Sequence, residues 1–100
     1  LDIPETVRIG SCDYAVELVN TALLNNNQAC YGVIDFNNHA IRVNHALGDR
    51  QTSELAFLHE LFHGIVHERG LDLENEELVV DELAKSLHQV IRDNPQMFRA

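Results

Sequence analysis

Hydrophobic positions change their period near Asp49. Before it they alternate; after it they recur at three and four. "TVRIG", Thr6 to Gly10, alternates and stops at a glycine, and "YAVELV", Tyr14 to Val19, alternates again. The short "GSCD" between them predicts a hairpin connection. The polar "NNNQ", Asn25 to Gln28, breaks the pattern. "CYGVIDF", Cys30 to Phe36, predicts a third strand, "NN" at Asn37 and Asn38 a turn, and "AIRVN", Ala40 to Asn44, a fourth strand. Short connections predict antiparallel pairing between neighbours. The spacing of Val16, Val19 and Leu23 also permits a short helix over "YAVELVNTALL", so that segment keeps two readings.

From Thr52 to Arg69, Leu55, Leu58, Phe62, Ile65 and Val66 mark one face of a helix. Thr52 and Ser53 are candidate caps, with Glu54 near the positive end of the dipole. Gly70 fits a left-handed stop. A second helix is predicted from Asn75 to Arg92, with Val79, Val80, Leu83, Leu87, Val90 and Ile91 as its apolar face. Asn75 is its cap, Glu76 and Glu77 lie in the first turn, and Asp93-Asn94-Pro95 ends it. The expected fold is α+β, one domain over residues 1–100: a small antiparallel sheet followed by two packed helices.

Composition narrows the function. With 45% apolar residues, no Trp and few aromatics, Leu, Val and Ile must fill one modest core. The formal net charge is −9. Phosphate binding needs clustered Lys and Arg, so this balance argues against nucleic acid and against an anionic membrane surface. A bound divalent cation would offset part of it. No apolar run approaches the ~20 residues of a membrane span, and no signal-peptide pattern is expected. Cys12 and Cys30 stand outside any CxxC spacing and read as free thiols of a cytoplasmic protein.

The chemistry concentrates in "FLHELFHGIVHERG", Phe57 to Gly70, where His59, His63 and His67 recur at intervals of four. "HELFH" within it is HExxH. Four helical residues rise ~6 Å and return to nearly the same face, so His59 and His63 can converge on one ion. Zinc suits such nitrogen and oxygen ligands in a tetrahedron. Glu60 lies beside the open position, where it can take the proton of a zinc-bound water and pass it to a leaving amine. Two histidines and a glutamate amid Leu58, Leu61, Phe62, Ile65 and Val66 need partners, and a metal supplies them. The competing explanation is a pair of histidines bonded to carboxylates or backbone. One straight helix does not easily give three ligands, so His67 reads as a helix-end residue favoured by the dipole.

A catalytic zinc needs a third ligand. Glu77 and Asp81 share a face of the second helix that continues through Ala84 to His88. Antiparallel packing after a short loop brings its first turns towards HExxH. A hairpin count sets His63 opposite about residue 82, nearer Asp81, but side-chain reach and helix crossing can reverse this, so spacing leaves the two nearly equal. His88 either approaches the site or sits between the helices. His39 is expected in a turn, His45 beside the last strand, and Tyr14 and Tyr31 in the core rather than as oxyanion donors, although either could reach the metal's open position. Ala40 to Asn44 is either an ordinary paired strand or an edge that accepts an extended peptide.

In these motifs the chain resembles the gluzincin metallopeptidases, especially small phage and mobile-element proteins related to the ImmA/IrrE peptidases. The likeness runs through "GVIDFNNHAIRVN", "FLHELFHGI" and "EELVVDELAKSLHQVIRDN". Gluzincins carry a glutamate as third zinc ligand, followed four residues on by an acid that holds the first ligand histidine. "ELVVD", Glu77 to Asp81, fits that pattern. The resemblance implies a minimal zincin-like fold with Zn2+ held by His59, His63 and Glu77, Asp81 as the partner of His59, and Glu60 as the catalytic base. The expected activity is zinc-dependent hydrolysis of peptide bonds in a peptide or protein substrate. The rival expectation is a catalytically idle zinc-binding module that works by contacting another protein. Manganese, iron or cobalt would also suit two histidines and one carboxylate.

Overall fold

The computed structural model describes residues 1–25, 28–46 and 49–98. The alternating first half forms six strands: β1 (Thr6–Ile9), β2 (Cys12–Val19), β3 (Leu23–Asn25), β4 (Gln28–Cys30), β5 (Gly32–Asp35) and β6 (Ala40–Asn44). The second half forms α1 (Arg50–Glu68), α2 (Glu76–Asp93) and a closing 3-10 turn at Pro95–Phe98. The fold is α+β. The segment with two readings is a strand through Val19, and the expected strand from Cys30 to Phe36 is broken at Tyr31. Asn26 and Asn27 of the expected polar break lie outside the described residues.

The expectation of an antiparallel sheet is corrected: the sheet is mixed, in the order β1-β2-β6-β5. The two hairpins, β1 with β2 and β5 with β6, are antiparallel. β2 and β6 run parallel, with Ala15 opposite Ala40 and Val19 opposite Asn44. The physical reason lies in burial and in the connection. β3 and β4 pair with each other as a separate ribbon, so the chain passes the place beside β2 before β5 begins. β6 then inserts there, because Ile41 and Val43 are fully buried and belong at the centre. The peptide-accepting edge considered for Ala40 to Asn44 is therefore ruled out; β5 is the edge strand on that side.

One face of the sheet carries Ile9, Tyr14, Ile41 and Val43, which form the core with Phe57, Leu58 and Ala84 from the helices. The other face holds cross-strand ion pairs, Arg8 with Asp13 at 2.8 Å and Arg42 with Glu17 at 3.0 Å. Helix α1 lies close against the sheet at Gly64. A Cβ there would stand 2.7 Å from Ile9 Cδ1 and 3.1 Å from Ile34 Cδ1. That close approach, one residue past His63, fixes the rotation of α1.

The helix ends differ from expectation in two respects, the first being that Asn75, just before α2, makes no side-chain capping hydrogen bond. Asp49, rather than Thr52 or Ser53, caps α1, its carboxylate accepting the Thr52 N–H at 2.8 Å. Asp49 can do so because its extended backbone precedes the first turn. Gly70 is left-handed at φ +63, and its N–H donates to the His67 carbonyl at 3.1 Å. Helix α2 is rotated from the expected packing. Val80, Ala84 and His88 are buried, while Val79, Leu83 and Leu78 are exposed. The stripe from Glu77 to His88 therefore turns towards α1. Among the described residues, no helix is long and apolar enough to cross a membrane.

Candidate functional site

His59, Glu60 and His63 sit in the middle of α1, and Glu77 in the first turn of α2. The two helices form a hairpin around Gly70, which brings that first turn back over the histidines. The Nε2 atoms of His59 and His63 lie 3.2 Å apart. Glu77 spans them, with Oε1 2.8 Å from His59 Nε2 and Oε2 2.9 Å from His63 Nε2. One ligand atom from each of the three residues therefore meets the other two.

The outer nitrogens decide what that meeting means. His63 Nδ1 lies 2.7 Å from Glu76 Oε2, a hydrogen bond donated by the imidazole in the tautomer that carries its proton on Nδ1. His59 Nδ1 faces Asp81 Oδ1 at 3.5 Å, a looser contact of the same sense. In that tautomer of both rings, the inner nitrogens present lone pairs to each other and to the Glu77 carboxylate. Such a cluster of acceptors repels itself unless a cation or a proton lies among them. Two nitrogens bound to one tetrahedral zinc are ~3.3 Å apart, and the observed separation of 3.2 Å matches this. The residues present thus fit a zinc-type ion of borderline softness.

Glu60 is only 8% exposed. Burial pushes its carboxyl above the ordinary range; His59 and His63 oppose this, and the Glu77 carboxylate adds to it. Gly32 of β5 passes directly over it, where a Cβ would stand 3.2 Å from Glu60 Cγ and 3.4 Å from the Ala56 carbonyl. Asp81 is held below the ordinary carboxylate range, chiefly by Lys85, whose Nζ is 2.8 Å from Oδ2.

The cluster is open. A cleft of about 370 Å³ reaches His59 and Glu60 from the side of Cys30, Tyr31 and Gly32. A second, of about 740 Å³, reaches Glu60, His63 and Glu77 from the side of Val33 and Phe36. Both follow β5, whose outer edge has no strand partner in the sheet among the described residues.

The remaining sequence candidates fall elsewhere. His88 is 4% exposed and joins none of these groups; its Nε2 lies 3.0 Å from Oε1 of Glu54, itself 6% exposed. Arg50 Nε donates to the other oxygen of Glu54 at 3.0 Å. Of the two placements weighed for His88, the one between the helices is observed. His67 stacks on Phe36 with ring centroids 3.9 Å apart. Tyr14 is a core residue as expected, but Tyr31 is 47% exposed and lines the first cleft. Glu76 was missed by sequence reasoning, which counted it only as a favourable first-turn charge. Its adjacency to Glu77 was the available signal, since consecutive helical residues reach different sides of one histidine. Cys12 and Cys30 are free thiols. The chain matches no protein-family model, no curated protein and no solved structure.

Proposed function

We propose that the chain is a zinc-dependent metallopeptidase-like protein, with His59, His63 and Glu77 as metal ligands and Glu60 as general base. The observation that carries the reading is the convergence of three ligand atoms beside a buried carboxylate on an open cleft. When bound, zinc supplies Lewis acidity to a scissile carbonyl and to a nucleophilic water. The residues of the chain do the rest. Glu76 and Asp81 hold the two imidazoles in the tautomer that frees Nε2. Glu60, with its affinity for protons raised by burial, takes one from the attacking water and returns it to the leaving amine. The edge of β5 offers main-chain groups to an extended peptide, which would then lie across Glu60. Tyr31 is the phenol on that cleft and the candidate donor to the developing oxyanion. The likeness to phage and mobile-element peptidases of the ImmA/IrrE kind and the two free thiols point to a cytoplasmic setting.

One observation favours a second reading, a catalytically idle zinc-binding module. The outer side of α2 exposes Leu78, Val79 and Leu83, an apolar row suited to another protein. The experiment that separates the readings is hydrolysis of a mixed peptide library by zinc-loaded protein, followed by mass spectrometry. Cleavage should stop with a chelator and with Glu60→Gln, while Glu60→Gln keeps its zinc and His59→Ala loses both. Undiminished turnover in Glu60→Gln would sink the mechanism. Full zinc content with no cleavage by the parent protein would favour the idle module.

A further inference from the structure

We propose that Cys12, His39 and Glu68 form a second metal site, suited to zinc or a similar borderline ion and separate from the histidine pair of α1. One ligand atom from each of these three residues lies within 4.8 Å of the other two. They come from three places in the chain. Cys12 opens β2 after the two-residue turn at Gly10 and Ser11. His39 ends the turn before β6, and Glu68 is the last residue of α1.

The fold holds these groups in place without an ion. Tyr14, fully buried, donates its hydroxyl to Glu68 Oε2 at 2.6 Å. That fixes the carboxylate. The same tyrosine ring meets the His39 ring edge-on, with centroids 5.1 Å apart. One core residue therefore orients two of the three groups, as outer partners do around metal ligands. The His39 backbone is fixed too, its carbonyl accepting the Ala15 N–H at 2.9 Å. Gly10 completes the fit, since a Cβ there would stand 3.3 Å from Glu68 Cβ.

The ligand set selects the ion. A thiolate with an imidazole excludes magnesium and calcium, which take oxygen donors, and suits zinc, cobalt or nickel. Thiolate and carboxylate together balance a divalent charge, and binding releases the thiol proton to solvent. His39 is exposed, so solvent can fill a fourth position. Glu68 lies five residues beyond His63, a rise of ~7.5 Å along α1, and the two ligand sets share no residue. A metal here would tie the β1–β2 turn, the β5–β6 turn and the end of α1 together. The inference stands whether or not the first site is catalytic.

Cobalt titration of the full chain tests it. A thiolate bound to cobalt gives a near-ultraviolet charge-transfer band that histidine and carboxylate ligands do not. The band is expected in the parent protein and in the His59→Ala/His63→Ala double variant, with one cobalt bound by the latter. It should vanish with Cys12→Ser and weaken strongly with the surface change His39→Ala, yet survive Cys30→Ser. Circular dichroism of the metal-free variants separates loss of the site from loss of the fold, and His39→Ala serves if Cys12→Ser does not fold. No band in the folded parent protein, or a band undiminished in folded Cys12→Ser or His39→Ala, would overturn the proposal.

Discussion

Replacing Glu60 by glutamine should stabilise the metal-free protein while removing its proposed chemistry. The carboxylate is 8% exposed, and burial is the largest cause of its raised pKa. His59 and His63 oppose that rise, and Glu77 adds to it. The sign follows from proton counting. Below the unfolded value of ~4.3 for glutamate, the carboxyl is protonated in both states and costs nothing. As pH rises towards the raised folded value, the unfolded chain ionises first, and folding is disfavoured increasingly. Glutamine keeps the shape and omits the charge. Relief of this kind is about 1 kcal/mol, which for a domain of this size moves Tm by ~4–8 °C. Thermal melts by circular dichroism of chelator-treated proteins, run from about pH 4 to pH 8, measure it. The difference between Glu60→Gln and the parent should be near zero at the acid end, grow with pH, and shrink when zinc is restored. A variant no more stable than the parent at the alkaline end, or a difference largest in acid, would refute the reasoning.

Three further outcomes follow from the geometry. Glu76→Gln, which disturbs the 2.7 Å contact to His63, should weaken zinc binding about 10–100-fold in competition with a chelating dye. Asp81→Asn, acting across 3.5 Å, should weaken it less, and the reverse order would be wrong for this site. Gly32→Val should cost about 1–3 kcal/mol in urea unfolding, because its Cβ would press on Glu60 and the Ala56 carbonyl; an unchanged midpoint would show that β5 does not hug α1. His88→Ala should cost about 3 kcal/mol by the same measurement, since it leaves buried Glu54 with Arg50 and the looser contact to the Leu1 amine at 4.0 Å, and should leave zinc affinity unchanged. Lost zinc affinity with intact stability would instead return His88 to the metal site.

Local signals carried far in this chain, and failures came where the outcome depended on distant partners. Both helices fall within two residues of the spans read from their periodicity, because caps, glycine and proline act locally. The two histidines and the intervening glutamate share one neighbourhood because four residues is a helical repeat. The choice between Glu77 and Asp81 was not local. Which carboxylate reaches both Nε2 atoms depends on how α2 rotates, and that rotation exposes Val79 and Leu83 against their hydropathy. The parallel pairing of β2 with β6 was equally hidden, since nothing in "AIRVN" says which neighbour it takes. Cys12, His39 and Glu68 lie far apart in sequence, and no spacing rule would have grouped them.

The parallel pairing also bears on the order of assembly. Joining β2 to β6 closes a loop from Ala15 to Ala40, whereas the histidines and Glu77 lie within one helical hairpin, residues 59–77. Shorter closures form sooner, helices within about a microsecond and distant strand pairs much later. The α1–α2 hairpin can therefore bring the two histidines and Glu77 together before the sheet is complete. Gly32 of β5 lies over Glu60, so that cover waits for the strand to dock. The groups that would capture an ion can thus meet before the sheet encloses the glutamate.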